Sequence, residues 1–355
     1  MFSSRRFPVS ALGTACLAAA LLAGCGGGSA DVTSSVGPAI STDLPIPGTV
    51  YEAAHGMYDR LNEVRAAMGL PLLKWNTALG SAAQAHADYM VTNQTIAHAE
   101  DPSCPGFVGT SVATRVAAFR YGGQLVQETI IGRFSTTNAD GRARMETMLL
   151  APLHRVPVLA LEFDEAGTGI AKTGGPLDMN LGSSKGLPPA ARFWVLYPFA
   201  GQSDVTANFY PGTELGLPET LPFMTGTPLT LSASLFSRMS YSSVRMVEQV
   251  SGVSVELLPV VRPGELASSL IFFPKAALKP GTDYQWSITA TVDGLTQTAS
   301  TSFRTSGIVK PASEHPELGQ PGQIFPAATI DGASGTCATP GTNNGVGGTG
   351  EGTAQ

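Results

Sequence analysis

A length of 355 residues with 43% hydrophobic side chains is enough for about two domains, each with its own core. The net charge is −6, from 21 Lys and Arg against 27 Asp and Glu with no basic cluster. That excludes a nucleic-acid or anionic-membrane surface, because both need a concentrated positive field to displace counterions. Charged residues at 14% lie well below the roughly 25% of average soluble domains, a composition that suits an exported protein.

In chain order, Arg5 and Arg6 precede an apolar stretch over residues 9–24, the layout of a signal peptide. At about 16 residues the stretch is short of the ~20 needed to span a bilayer as a helix. It ends in Leu22-Ala23-Gly24-Cys25, which resembles the lipobox of bacterial lipoproteins, so residues 1–24 read as a lipoprotein signal peptide and Cys25 as the lipidated mature N-terminus. Diacylation plus an N-acyl chain meets the two-signal condition for stable anchoring. By resemblance to lipoprotein sorting, Gly26 rather than Asp after the cysteine favours the outer membrane. Residues 25–50 form a Gly/Ser/Thr/Pro-rich flexible linker. With Cys16 removed and Cys25 lipidated, Cys104 and Cys337 are left in an oxidising compartment. A bond between them would tie the distal tail to the first domain; two free thiols or an intermolecular bridge are the alternatives.

A first helix is predicted from Tyr58, Leu61, Val64, Arg65 and Met68, stopped by Gly69-Leu70-Pro71. A second starts at Asn76, a good N-cap, with Leu79, Ala83, Ala87 and Met90 on one stripe. A third covers residues 140–150, with Met145, Met148 and Leu149 on its core side, and is ended by Pro152. The period then changes, and residues 158–163, 167–171 and 193–199 read as strands. Helices followed by strands suggest an α+β domain over residues 51–201. Beyond it, residues 229–233, 253–257, 269–273 and 284–290 are short strands, and Tyr284, Trp286, Ile288, Ala290 and Val292 alternate strictly. About seven such strands over residues 204–306 form the pattern of an all-β, Ig-like sandwich. Residues 307–355 turn Pro- and Gly-rich and read as a disordered tail.

The stretch from Leu61 to Asn76 (LNEVRAAMGLPLLKWN) resembles the opening of bacterial CAP domains, the superfamily of cysteine-rich secretory proteins, antigen 5 and pathogenesis-related proteins. His98 sits where that family has its first His, and Arg115 and Tyr121 fall at its Arg and Gly-Tyr positions. Glu128-Thr129-Ile130 is similar to its Glu-Asn-Ile motif, and Pro152-Leu153-His154-Arg155 to its Ser-Pro-Gly-His-Arg motif. The resemblance implies a CAP-like α-β-α sandwich with His98, Glu128 and His154 on the floor of a cleft that in some relatives binds a divalent cation. His98 and His154 would then be ligands of Zn²⁺ or another divalent ion, with Glu128 binding the metal or orienting a His. Thr129 and Leu153 replace the family's Asn and Gly, and its second acidic residue has no clear counterpart; Glu146 is a poor candidate. The plainer alternative is that these His and Glu residues hydrogen-bond each other to hold three segments together. His86 reads as a structural helix residue, His55 and His315 as solvated linker residues, Met145 and Met148 as core, and Tyr121-Gly122-Gly123 as a turn.

No Gly-x-Ser-x-Gly elbow, His-Glu-x-x-His helix, Walker-type loop or Cys-x-x-Cys pair occurs, so no catalytic residue is assigned. The leading expectation is a lipid-anchored cell-envelope protein whose CAP domain is a binding or scaffolding module for a lipid, glycan or peptide. The alternatives are a hydrolase, protease or esterase, using the His/Glu cleft as general acid and base, and a structural module with a vestigial cleft.

Overall fold

A computed structural model describes residues 52–132, 138–171, 176–185, 194–214, 216–262, 268–311 and 324–326. The first helix, α1 (Glu52–Ala67), ends where Gly69 takes φ 69° and Leu70 N–H closes back on the Arg65 carbonyl at 2.8 Å. After a short strand β1 (Lys74–Trp75), Asn76 caps α2 (Thr77–Thr92): its side-chain oxygen accepts from the N–H groups of Ala78 and Leu79 at 2.9 and 3.2 Å. The predicted stripe Leu79, Ala83, Ala87 and Met90 is buried. The chain continues through α3 (Val112–Ala118), β2 (Leu125–Ile131), α4 (Asn138–Leu150), α5 (Pro152–Val158), β3 (Glu165–Ile170) and β4 (Leu177–Ser183).

Strands β1, β3, β4 and β2 lie side by side in that order in one sheet. Helix α2 packs against one face with α3, while α1, α4 and α5 cover the other. Glycines set the first of these contacts. A Cβ on Gly167 would lie 2.1 Å from the Gly80 nitrogen, and one on Gly169 2.2 Å from the Gln84 nitrogen, so α2 rests directly on the backbone of β3. Met145 and Met148 are fully buried core residues, as expected.

Two readings of this region change. Pro152 does end α4, but it also occupies the first turn of α5, where its fixed φ and missing N–H suit a helix start. Residues 158–163 are buried without being a strand. The fully buried Arg65 guanidinium takes the carbonyls of Val158, Ala160 and Phe163 at 3.0, 3.0 and 3.2 Å, so the segment needs no strand partner.

The second module is all-β. One sheet has the order β10 (Met239–Glu248), β12 (Asp283–Val292), β13 (Leu295–Thr305), β6 (Gln202–Val205), and the other β11 (Ser269–Phe272), β9 (Leu229–Ser232), β5 (Val195–Tyr197). Tyr284, Trp286, Ile288, Ala290 and Val292 of β12 point into the core, as their alternation predicts. A small pair, β7 (Asn208–Phe209) with β8 (Thr225–Gly226), flanks it. Residues 253–257, predicted as a strand, make only isolated bridges, Val247 with Ser254 and Leu257 with Pro274.

The domain boundary also moves. Strand β5 falls inside the predicted first domain, yet pairs with β9 in the sheet of the second. Val195, Tyr197, Phe209, Val261, Ile271 and Phe273 share one core cluster with side chains of α1, α4 and α5, so the modules are joined by common apolar packing. Part of the tail read as disordered is structured: β14 (Ile324–Pro326) pairs antiparallel with β2 at the sheet edge, and Lys310 N–H donates to Asn208 Oδ1 at 3.0 Å. The expectations for the signal peptide, Cys25, the linker, His315 and Cys337 lie outside the described residues.

Candidate functional site

Alternation along β2 determines what can meet. Val126 and Ile130 pack with α2 and α3 side chains, whereas Leu125 and Ile131 join the core of α1, α4 and α5, and Thr129 Oγ1 donates to Met148 Sδ of α4 at 3.4 Å. Glu128 therefore faces the α2/α3 side. There its Oε2 lies 2.7 Å from His98 Nδ1, and its Oε1 accepts from the buried Arg115 guanidinium of α3. Of the sequence-predicted cleft residues, His98 and Glu128 do come together.

His154 does not join them. It lies on α5, on the opposite side of the sheet, with its Nδ1 2.9 Å from Oε1 of Glu214, a residue of the segment between β7 and β8. The same oxygen accepts from the Leu153 and His154 N–H groups at 2.9 and 3.0 Å. The expected pair of zinc ligands, His98 and His154, is thus divided between two faces. Both oxygens of Glu128 are engaged, and among the described residues no group of three or more His, Cys, Asp and Glu side chains is placed to hold a metal ion. The residues do not fit a two-histidine zinc site.

Three acidic residues that the sequence reading did not single out complete the picture. Glu100 bridges His86 of α2, at 2.8 Å from Nδ1, to the N–H groups of Val108 and Gly109 at 2.7 and 3.1 Å. His86 Nε2 faces the Ala97 carbonyl at 2.9 Å, so its structural role holds, and it also lies 3.8 Å from Glu128. Asp178 of β4 is fully buried beside Glu128. Glu214 is the third. The signal for Asp178 was an alternation, with Leu177, Met179 and Leu181 apolar and Asp178 and Asn180 between them; for Glu214, in a loop far along the chain, there was none. Within the cluster His98 is the solvent-facing member, with its side chain 32% exposed, while His86, Glu100, Arg115, Glu128 and Asp178 are buried.

His55 belongs to α1 and not to a linker, with its Nε2 buried. Glu146 pairs with Arg60 on the α1/α4 surface, far from the cluster. Tyr121 is buried and donates its hydroxyl to Glu165 at 3.0 Å. Cys104 is disulfide-bonded, its partner lying outside the described residues.

The electrostatics pull two neighbouring carboxyls apart. Burial pushes the Glu128 carboxyl upward, but Arg115, His86 and His98 outweigh it and hold the group well below its ordinary value of 4.5. Asp178 is raised well above 3.8 by burial and by the Glu128 charge, against a weaker pull from Arg115. As a carboxylate Asp178 finds no donor, whereas in its protonated form it can donate to Glu128. The signs for stability follow from linkage. Glu128 contributes stability that is present above about 4.5 and lost as pH falls through its depressed folded value. Asp178 keeps a proton that the unfolded chain releases near 3.8, so it lowers stability as pH rises above that value. Asp178→Asn, a neutral mimic of the protonated acid, is expected to raise stability in urea at pH 7 and to flatten the decline as pH rises above the ordinary carboxylate value. An unchanged or lower urea midpoint at pH 7 would show that Asp178 is ionised in the fold.

Residues 58–179 match the model of the cysteine-rich secretory protein family, CAP, and the first module is a CAP domain. Similar solved structures include an extracellular SCP-domain protein from Bacillus anthracis str. Ames, at 24% identity and TM-score 0.32, covering 37% of this chain and 40% of that one. Another is an outer surface protein from Borrelia burgdorferi, at 18% identity and TM-score 0.32, covering 38% and 94%. A third is a cysteine-rich secretory protein from Staphylococcus aureus subsp. aureus Mu50, at 13% identity and TM-score 0.29, covering 39% and 40%. The chain thus spans well under half of the Bacillus protein. No curated protein matches it.

Proposed function

We propose that the chain is a lipid-anchored cell-envelope protein whose CAP domain acts as a binding or scaffolding module, with the His98/Glu128 cluster serving as a structural tie. The observation that carries this reading is how the polar groups are used. Glu128, Glu100, Arg115 and His86 spend their hydrogen bonds joining α2, α3, β2 and residues 97–109 to one another. A general base must reach a substrate proton, and in this cluster His98 alone meets solvent. No described helix is long and apolar enough to cross a membrane, and in this reading the Leu22-Ala23-Gly24-Cys25 motif supplies the attachment. The same logic favours a Cys104–Cys337 disulfide, since β14 returns the tail to the CAP sheet and Cys104 is bonded.

His98→Ala tests the functional part. The expected result is a loss of about 1–2 kcal/mol in stability, the worth of a partly exposed hydrogen bond to a charged group, with no protease or esterase turnover in wild type for the variant to lose. Turnover that disappears in His98→Ala would restore the hydrolase. Mass spectrometry of the mature N-terminus should find a triacylated Cys25, and an unmodified peptide beginning elsewhere would remove the anchor.

A further inference from the structure

Among the described residues, three large apolar side chains left in solvent come together. Phe223, just before β8, is 81% exposed, and Ile308 and Val309, shortly after β13, are 60% and 43% exposed. Buried polar side chains hold the two segments side by side. Asn208 of β7 accepts from Lys310 N–H at 3.0 Å and donates to the Lys310 carbonyl at 2.8 Å, and its amide lies 3.8 Å from Met224 Sδ. The Tyr210 hydroxyl donates to the same carbonyl at 3.3 Å, while Phe223 packs edge-to-face on the Tyr210 ring at 5.3 Å. The patch is therefore built into the fold, with Phe223 standing out from it.

We infer that Phe223, Ile308 and Val309 dip into the surface of the bilayer to which the chain is anchored. The inference rests on the lipid-anchor reading of Cys25, and it adds the face by which the folded part meets the membrane. Chain length supplies the first argument. Cys25 and Glu52 are 27 residues apart, and a Gly/Ser-rich chain of that length averages roughly 30 Å end to end. From Glu52 the axis of α1 runs about 12 Å to Arg60, which lines the same cavity as Ile308 and Lys310. An acylated Cys25 thus brings the bilayer within reach of the patch without stretching the chain, at an effective concentration that lets a weak contact form.

Side-chain chemistry supplies the second argument. A protein interface of standard size takes roughly 20–30 residues a side, more than three protruding apolar side chains provide, whereas a tethered surface contact has no such requirement. Phe, Ile and Val suit the acyl boundary, and the neighbouring Lys310 can lay its stem along apolar surface with its ammonium at headgroup level. A net charge of −6 without a basic cluster gives no pull toward anionic lipid, so the contact is apolar and needs only zwitterionic lipid.

The test places the chain from residue 26 onward on phosphatidylcholine vesicles, with and without brominated lipid, which quenches indole fluorescence on contact. The tether is an N-terminal histidine tag held by nickel-chelating lipid. The outcome then does not depend on acylation of Cys25, which mass spectrometry decides separately. Phe223→Trp should lose emission and shift to the blue on brominated vesicles, at low and at high salt. Phe236→Trp is the control: Phe236 is also exposed, but it lies at the opposite end of the β module, where Arg238 N–H bonds Asp293 in the β12–β13 turn, and this variant should match wild type, whose Trp194 and Trp286 are buried. Adding Ile308→Asp and Val309→Asp to Phe223→Trp should restore the emission, with vesicle retention and the circular dichroism spectrum unchanged. Quenching of Phe223→Trp no greater than that of Phe236→Trp, or quenching that survives the two aspartates, would overturn the inference. A blue shift of Phe223→Trp without vesicles, growing with protein concentration, would overturn it too, and would assign the patch to contact with a second copy.

Discussion

Replacing Arg115 by alanine is expected to cost the fold about 3–5 kcal/mol, because it leaves buried carboxylates without their cation. The guanidinium and Glu128 are both buried, so solvent cannot take over the lost interaction. The Gly109 carbonyl loses its donor as well, and Glu100, 3.8 Å away, loses a favourable charge. Urea unfolding should show the drop in midpoint with little change in slope. Arg115→Met combined with Glu128→Gln should be less damaging than Arg115→Ala alone, since both charges go together and the hydrocarbon of Met refills the space. A loss below about 1 kcal/mol for Arg115→Ala would mean that the Glu128 charge is stabilised by something other than this pair.

Whether a residue's role could be read from the sequence depended on how local its cause is. The N-cap at Asn76, the stop at Gly69 and the alternation in β12 arise from neighbours a few residues apart, and each was legible. So was the meeting of His98 with Glu128, through the family resemblance of the motifs. The misplacement of His154 had a different origin. Its motif was recognised, but its partner, Glu214, comes from beyond the CAP domain, and no pattern along the chain announces a contact between segments so far apart. Residues 158–163 misled for a related reason: an apolar run reads the same whether a strand or the Arg65 side chain satisfies its carbonyls. Strand β5 was found as a strand, yet the sheet it joins is decided by β9.

Helix α5 begins after Ala151, which offers no side-chain cap, and its first turn is buried at the junction of the modules. Glu214 supplies the missing acceptor from a distance. One carboxylate oxygen takes the N–H groups of Leu153 and His154 together with His154 Nδ1, at 2.9, 3.0 and 2.9 Å, and its charge suits the positive end of the helix. Both side chains of the pair are almost fully inaccessible, so water cannot replace the acceptor. Glu214→Ala should therefore cost about 3–5 kcal/mol, below the sum of three separate hydrogen bonds to a charged group because effects around one shared atom do not add. Glu214→Gln keeps an acceptor oxygen without the charge and should cost about 1–2 kcal/mol. In scanning calorimetry the alanine variant should melt roughly 10 °C below wild type, while the glutamine variant falls between the two. Equal damage from Gln and Ala would assign the effect to the charge alone, and an alanine variant melting with wild type would show that the modules are joined by apolar packing without help from this clamp.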